Sequence, residues 1–152
     1  MSIIRADISD IETVKYITTE TINSIYPHYY PEGAVDFFLG HHNDKNIEND
    51  IRVGIVYLCF DNENNAVGTV TVKENEICRL FVLPEYQGNG YGKELISFAE
   101  NKISEKYNEI ILHASLPAKA IYLKKGYKEL EFHSIKTENG DYLCYDMMIK
   151  QI

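Results

Sequence analysis

The stretch Leu80-Phe-Val-Leu-Pro-Glu-Tyr-Gln-Gly-Asn-Gly-Tyr-Gly92 connects an apolar strand to a helix through a loop with three glycines in five residues. Glycine has no Cβ, so the backbone amides of such a loop can approach a ligand closely. The unpaired amides and the dipole at the start of the following helix favour an anion, and Lys93 adds a positive charge there. The stretch therefore predicts a phosphate- or pyrophosphate-binding loop, with a plain strand–helix connection as the alternative.

Two better-known phosphate-binding motifs do not fit this loop. A Walker loop requires Gly-Lys followed by Ser or Thr, whereas Glu94 follows Gly92-Lys93, and no glycine lies five residues before Gly92. The dinucleotide-binding fingerprint fails because Gly88, Gly90 and Gly92 are spaced by two residues each. A nucleotide-binding protein is therefore a disfavoured alternative.

Hydrophobic periodicity predicts the elements before this loop. The sequence Ser9-Asp-Ile-Glu12 is read as a capping box that starts a helix, and Pro27 ends that helix. A second helix carries Val35 to Leu39, and Asn43 caps a third, short helix. The predicted strands are Ile3–Arg5, Val53–Phe60, Ala66–Val72 and Glu76–Leu83.

The second half of the chain alternates strands and helices. A helix is predicted over Gly92–Tyr107 and another over Leu116–Lys125, which Gly126 closes as a left-handed cap. The remaining strands are Glu109–Ala114, Tyr127–Ile135 and Tyr142–Ile149, with Asn139-Gly140 as the hairpin turn between the last two. We expect one α/β domain over residues 1–152, with a mixed central sheet and helices on both faces.

Composition and charge restrict the class of protein further. Fifteen basic and twenty-three acidic residues among 152 give a net charge of -8, which disfavours nucleic-acid binding and suits either a cationic partner or simple solubility. The longest apolar run, Val53–Phe60, is far shorter than the ~20 residues of a membrane helix. With no signal-peptide pattern, we expect a cytoplasmic protein whose three cysteines are reduced and have no metal-binding spacing.

Two sequence blocks resemble a known family. Gln87-x-x-Gly90-x-Gly92, preceded by Leu80-x-Val82-x-Pro84, looks like the acetyl-coenzyme A signature of the GNAT-type (GCN5-related) N-acetyltransferases. Ala118-x3-Tyr122-x3-Gly126-Tyr127 resembles a later motif of the same family, and the order of predicted elements also matches. The resemblance implies the GNAT-type acyl-CoA N-acyltransferase fold and transfer of acetyl from acetyl-CoA to a primary amine by direct attack.

The resemblance also implies a cofactor site, in which the cosubstrate lies in a wedge between the strands Glu76–Leu83 and Glu109–Ala114. Strand groups of Leu80, Phe81 and Val82 would face the acetyl carbonyl and the pantetheine arm. Ser115 stands where many family members have asparagine, and it could keep a shorter hydrogen bond to the pantetheine or leave that bond to a water. The pyrophosphate would bind mainly backbone amides of the loop Gln87, Gly88, Asn89, Gly90, Tyr91, Gly92 and Lys93.

Two residues are implied to be catalytic. Tyr122 matches the tyrosine that protonates the departing thiolate, and Glu76 matches a carboxylate that deprotonates the amine directly or through water. Glu76 and Val82 are six residues apart, which predicts that their side chains share one face of the strand. No metal is expected, and the absence of cysteine from both motifs argues against a covalent acetyl-enzyme.

The acceptor is expected to be a small-molecule or peptide amine, and its identity is left open. The aromatic segment Tyr26–Tyr30 is the predicted wall of the acceptor pocket, with packing as the alternative. His113 is a candidate neighbour of the acceptor, whereas the adjacent His41 and His42 are read as surface residues. A non-catalytic coenzyme A-binding sensor or regulatory module is the competing class. The sequence does not determine the oligomeric state, and a homodimer is one of the states left open.

Overall fold

The computed structural model describes residues 1–152 and has seven strands and five helices. Short 3-10 turns precede α1 and α2 and follow β4. The strands are β1 Ser2–Arg5, β2 Val56–Phe60, β3 Ala66–Lys73, β4 Glu76–Val82, β5 Glu109–Ala114, β6 Lys128–Lys136 and β7 Tyr142–Gln151. The helices are α1 Ile11–Ile25, α2 Glu32–His41, α3 Asp44–Arg52, α4 Tyr91–Ser104 and α5 Leu116–Lys124.

The strands form one sheet in the order β1-β2-β3-β4-β5-β7-β6, in which only β4 and β5 are parallel. Each face of the sheet carries its own hydrophobic core. One core contains the apolar sides of α4 and α5, and the other contains those of α1, α2 and α3. The predicted mixed sheet with helices on both faces is therefore confirmed.

The parallel pair β4–β5 opens into a gap. The two strands are paired only at Glu76 with Ile111 and at Ile77 with Leu112, at the beginning of β4. From Cys78 onward β4 keeps its pairing with β3 but has no partner on the β5 side. The backbone groups on that edge are thus free to pair with something other than the sheet.

A β-bulge lies where the two strands separate. Thr71 of β3 is opposite Arg79, but the next residue, Val72, is opposite Ile77, so Cys78 is an extra residue in β4. An extra residue shifts the alternation of side chains beyond it to the other face of the sheet.

The bulge overturns one prediction about faces. Ile77 and Val82 both pack in the core beneath α4, although they are five residues apart. Glu76 instead lies on the opposite face, the one that carries Phe81 and the core of α1–α3. Glu76 and Val82 therefore do not share a face, because the period of two does not continue through an inserted residue.

The start of α1 also differs from its prediction. The capping box is formed by Asp7 and Asp10 around a 3-10 turn, and Asp7 accepts the Ser9 amide (2.8 Å). Helix α1 then begins at Ile11 with no side-chain cap, so Ser9 and Glu12 do not form the predicted box. The predicted cap of α3 is confirmed, since Asn43 accepts the Asn46 amide (2.9 Å).

Strand β2 begins three residues later than predicted. Helix α3 ends in a turn at Val53, and Gly54 has a φ of +77° that breaks the extended backbone before Val56. Val53 is 70% exposed and lies outside the strand, so its side chain is not buried in the sheet. The other elements agree with their predicted bounds to within three residues.

The turn between β6 and β7 packs against α2. Gly140 has a φ of +88°, as the Asn-Gly signal predicts, and the Asp141 carboxylate accepts the Gly33 amide (2.8 Å). The Asn139 amide oxygen accepts from the Thr137 hydroxyl (2.7 Å) beside Gly33. A Cβ on Gly33 would overlap both of these side chains. The missing side chain of Gly33 is therefore what allows the hairpin to contact the helix.

Replacing this glycine tests the contact. Gly33→Ala should lower the free energy of unfolding by about 1–3 kcal/mol, because Asn139 and Thr137 must leave their hydrogen bonds. Gly40→Ala in the same helix is the matched control, since a Cβ there meets nothing within 4 Å. The control should be neutral or stabilising by up to about 1 kcal/mol. Urea denaturation of both variants measures the difference, and equal stabilities would contradict the proposed packing.

Candidate functional site

A groove of about 380 Å³ lies in the gap between β4 and β5. The loop Gln87–Lys93 forms one end of the groove, and α5 forms the side opposite β4. Residues from α1, β4, the loop, α4 and α5 line it: Thr21, Ile25, Tyr26, Leu80, Phe81, Val82, Gln87, Gly88, Gly90, Gly92, Lys93, Ile96, Ser115, Pro117, Ala118, Ile121 and Tyr122.

The loop presents a continuous row of unused amide donors. Six consecutive N–H groups, Gly88 to Lys93, donate no hydrogen bond within the chain. Gly88 and Gly90 have φ values of +80° and +91°, which L side chains rarely adopt. Gly92 has open space around its Cβ position, apart from a Val82 methyl group at 3.9 Å. The backbone thus forms an anion-binding surface at the start of α4.

The polar side chains of the loop hold its shape. Gln87 Nε2 donates to the Val82 carbonyl (2.9 Å), and Asn89 Nδ2 donates to the Tyr86 carbonyl (3.1 Å). The ring of Tyr91 packs against Tyr86, and neither Asn89 nor Tyr91 lines the groove. Of the predicted loop residues, Gly88, Gly90, Gly92 and Lys93 line the groove together with Gln87.

The free edge of β4 exposes alternate backbone groups to the groove. The Leu83 amide bonds to the Val67 carbonyl of β3, so the antiparallel alternation turns Phe81 toward β3 and turns Leu80 and Val82 toward the gap. The Val82 carbonyl already accepts from Gln87 and Thr21 (3.3 Å). The free groups are those of Leu80 and the Val82 amide, whereas the backbone of Phe81 is used within the sheet.

Ser115 stands at the first position of the turn into α5. Its hydroxyl makes no capping hydrogen bond, although the residue is 9% exposed and lines the groove. The adjacent Leu116 amide donates to the Tyr30 hydroxyl (2.7 Å), which itself donates to the Cys144 carbonyl (3.1 Å). Tyr30 therefore fixes the start of α5 against β7, while the Ser115 hydroxyl lies beside the Tyr26 hydroxyl in the groove.

Tyr122 lies on the groove side of α5 and is buried. Burial, and to a smaller extent the neighbouring Tyr26, raises the pKa of Tyr122 above that of an ordinary phenol. Its ring packs edge-on against Tyr127 at a centroid distance of 5.4 Å. The hydroxyl therefore keeps its proton at neutral pH and can act as a proton donor in the groove.

A second cavity of about 550 Å³ lies on the other face of the sheet. It is bordered by α2, α3 and the facing sides of β3 to β7. Ser115 lines this cavity as well as the groove, so the two spaces meet there. The walls contain Phe37, Phe38, His41, His42, Asn46, Asn49, Asp50, Ile55, Thr71, Lys73, Glu76, Cys78, Arg79, His113, Ser115, Ile135, Leu143 and Tyr145.

The aromatic wall of this cavity comes from α2 and not from the segment predicted for it. Tyr26 lines the groove, Tyr30 anchors α5, and His28 and Tyr29 are exposed. Phe37, Phe38, His41 and His42 line the cavity instead. The segment follows α1 as a 3-10 turn, and its two buried rings, Tyr26 and Tyr30, pack in the core of α1–α3 instead.

Arg79 crosses the cavity wall in a buried network. Its guanidinium donates to Thr71 Oγ1 (2.9 Å), to Asp50 Oδ2 (3.1 Å) and to His42 Nδ1 (3.3 Å). Burial and the positive charge of Arg79 lower the pKa of His42 to about 3. His42 is thus a neutral ring in the wall, where the sequence indicated a surface residue.

Glu76 and His113 form a pair in the same cavity. Glu76 Oε1 lies 3.1 Å from His113 Nδ1, and both side chains are partly exposed to the cavity. An ionised carboxylate can only accept a hydrogen bond, so Nδ1 is the donor of this pair, and the neutral form of the ring then carries its lone pair on Nε2. The His113 ring also packs edge-on against Tyr145. The geometry is that of an imidazole base oriented by a carboxylate.

Several cavity residues were missed by sequence reasoning. Asp50, Lys73 and Tyr145 carry no local signal, because α3, β3 and β7 meet only in the folded chain. Arg79 did carry one, since a charge inside the apolar strand Glu76–Leu83 requires a buried partner. No three His, Cys, Asp or Glu side chains are grouped as a metal site. None of the helices has the length and apolar character needed to span a membrane.

Comparison with solved structures shows a shared fold. A GCN5-related N-acetyltransferase from Rhodopseudomonas palustris has a TM-score of 0.89 and 19% identity, over 99% of this chain and 95% of that one. PaiA N-acetyltransferase from Thermoplasma acidophilum, in complex with coenzyme A, has a TM-score of 0.75 and 21% identity over 99% and 98%. Naa50 of Arabidopsis thaliana, in complex with the bisubstrate analogue CoA-Ac-MVNAL, has a TM-score of 0.70 and 23% identity over 99% and 98%.

Sequence comparison gives the family directly. No curated protein matches the chain. The family model of the acetyltransferase (GNAT) domain, however, matches residues 25–148, which include the glycine loop, the split between β4 and β5, and Tyr122. With this match over most of its length, the chain belongs to the GNAT acetyltransferase family.

Proposed function

We propose that this protein transfers the acetyl group of acetyl-CoA to the amine of an acceptor held in the second cavity. One observation carries the proposal: a groove with six unused amide donors meets a cavity with a carboxylate–imidazole pair at Ser115. A proton donor, Tyr122, lines the groove near this junction. The arrangement supports a reaction between two substrates that enter from opposite faces of the sheet.

The groove fits acetyl-CoA in shape and in chemistry. The pyrophosphate would bind the amides of Gly88 to Lys93, and the pantetheine would lie along the free edge of β4 like an added strand. The Leu80 groups, the Val82 amide and the Ser115 hydroxyl would bond to its amides and to the acetyl carbonyl. A backbone amide held in this way also stabilises the oxyanion that forms when the carbonyl is attacked.

The transfer would be direct. The amine nitrogen forms a bond to the acetyl carbon, the bond from that carbon to sulfur breaks, and the products are the acetylated amine and the coenzyme A thiol. Cys78 lines the acceptor cavity, but burial raises the pKa of its thiol to about 12. A thiol that keeps its proton is a weak nucleophile, which supports direct attack over an acetyl-cysteine intermediate.

Two proton transfers accompany this step. We assign the proton of the attacking amine to His113 Nε2, with Glu76 orienting the ring and stabilising its charged form. This assignment modifies the sequence-based hypothesis that Glu76 takes the proton itself. The departing sulfur receives its proton from the Tyr122 hydroxyl, whose raised pKa keeps it protonated until the thiolate forms.

A broad test measures thiol release from acetyl-CoA with a panel of amines. We expect release that depends on an amine, with one acetylated amine formed for each thiol. Binding of coenzyme A without release for any amine would instead favour a non-catalytic coenzyme A-binding module.

The loop can be tested with three single-residue variants. Gly92→Val should weaken coenzyme A binding by at least tenfold, because its side chain would occupy the space in front of the amides and would meet little of the protein itself. Lys93→Ala should change the affinity only a few-fold, since it removes one solvent-exposed charge. Gly90→Val should also weaken binding, because residue 90 has a φ of +91°. Calorimetric titration ranks the variants, and a largest loss for Lys93→Ala would contradict a backbone site.

The role of Tyr122 is tested by Tyr122→Phe, which keeps the ring and removes the hydroxyl. The single-turnover rate of thiol release should fall about 10²–10⁴-fold, while coenzyme A affinity and Tm stay close to wild type. Tyr127→Phe is the control, because its ring packs on Tyr122 but does not line the groove. An unchanged single-turnover rate for Tyr122→Phe would remove it from the reaction.

The Glu76–His113 pair is tested by a double-mutant cycle. His113→Gln should lower kcat and flatten the acid limb of the pH–rate profile, because the base must be unprotonated to act. Glu76→Gln should also lower kcat but should keep an acid limb, because the His113 ring is still present. The double variant should be no slower than His113→Gln alone, since Glu76 acts through the ring. Glu74→Gln in the adjacent turn is the control. Additive losses would indicate that Glu76 and His113 act independently.

A further inference from the structure

Most charged side chains around the acceptor cavity already have a partner within the chain. The one that does not indicates what the cavity can bind. Two carboxylates line it, and each already has a partner within the chain. Asp50 bonds to Arg79 at 3.1 Å, and Glu76 lies 3.1 Å from His113. No other acidic side chain lines the cavity. A second positive charge on an acceptor would therefore find no unengaged carboxylate there.

One positively charged side chain of the cavity, in contrast, has no partner. Lys73 lines the cavity, is exposed, and makes no ion pair or hydrogen bond within the chain. It is directly opposite Glu76 in the β3–β4 ladder, so an ion pair between these neighbours is within reach. The carboxylate of Glu76 instead turns to His113. Lys73 is thus an unpaired cation beside the group that orients the base.

The spacing of these groups limits the acceptor further. Directly opposite residues of an antiparallel pair have Cβ atoms about 4.5–5.5 Å apart. Lys73 is therefore a close neighbour of Glu76, which contacts His113, so the cation and the base belong to one part of the cavity wall. The unengaged amide of Asn49 adds hydrogen-bond donors to the same cavity.

The rest of the cavity suits an apolar side chain. Phe37, Phe38, Ile135 and Tyr145 contribute apolar and aromatic surface to its wall. A volume of about 550 Å³ is within the range of small-molecule sites. The wall charges, two negative and two positive from Lys73 and Arg79, cancel even though the chain as a whole carries -8.

We propose that the acceptor is a free α-amino acid with an apolar or aromatic side chain, whose carboxylate binds Lys73 while its amine is presented to His113. This inference rests on the proposed acetyl transfer and adds the substrate class. The product is the N-acetyl amino acid, with its carboxylate unchanged, together with the coenzyme A thiol. Polyamines and peptide N-termini, which lack a carboxylate beside the amine, are poorer acceptors.

The test compares acceptors with and without a carboxylate beside the amine. L-phenylalanine, phenylalaninamide, phenethylamine and spermidine are assayed for thiol release from acetyl-CoA. We expect kcat/KM to be at least tenfold higher for phenylalanine than for the other three. Lys73→Met should lower the ratio of phenylalanine to phenylalaninamide about ten- to hundredfold, as expected for a hydrogen bond between charged groups. Lys106→Met, which alters an exposed lysine outside the cavity, should leave the ratio unchanged.

The outcomes separate this inference from the function on which it rests. Transfer that favours the amide or spermidine, or a phenylalanine to phenylalaninamide ratio that Lys73→Met does not change, overturns the amino-acid assignment and leaves acetyl transfer standing. Thiol release with none of these amines or any other overturns the proposed function itself.

Discussion

The gap between β4 and β5 is the constraint on which the rest of the molecule depends. Pairing stops after two residue pairs, and the free edge of β4 then faces a space instead of a strand. A sheet edge buried inside a protein must find other hydrogen-bond partners. The glycine loop and α4 follow directly from that edge, and α5 begins on the other side of the gap. The groove is thus a consequence of incomplete pairing rather than of a separate pocket-forming element.

Because of the bulge at Cys78, different parts of β4 face the cavity and the groove. Before the bulge, Glu76 points into the cavity under α2 and α3. Beyond it, Val82 packs beneath α4, and the edge groups of Leu80 and Val82 face the gap. A single strand therefore contributes to both spaces, and Ser115 on the opposite side of the gap joins them. The groove and the cavity therefore meet through the sheet without sharing a wall other than Ser115.

Local electrostatics differ from those of the whole chain. The net charge of -8 suggests a cationic partner, yet both carboxylates in the second cavity are engaged internally. Burial of Arg79 with Asp50 also holds His42 as a neutral ring. Because interactions between exposed charges are largely screened beyond about 10 Å, the groups within the cavity outweigh the distant surface in selecting a ligand.

The sequence by itself determined the elements, the mixed sheet, the glycine loop and the position of Tyr122, because these depend on local periodicity and on motifs in contiguous segments. Tertiary structure alone decided the second cavity, whose walls combine α2, α3 and five strands. It also decided which way Glu76 points, since one inserted residue reverses the alternation of a strand. The pairing of Glu76 with His113 joins residues 37 positions apart. No local pattern specifies such a contact, because it exists only once β4 and β5 lie side by side.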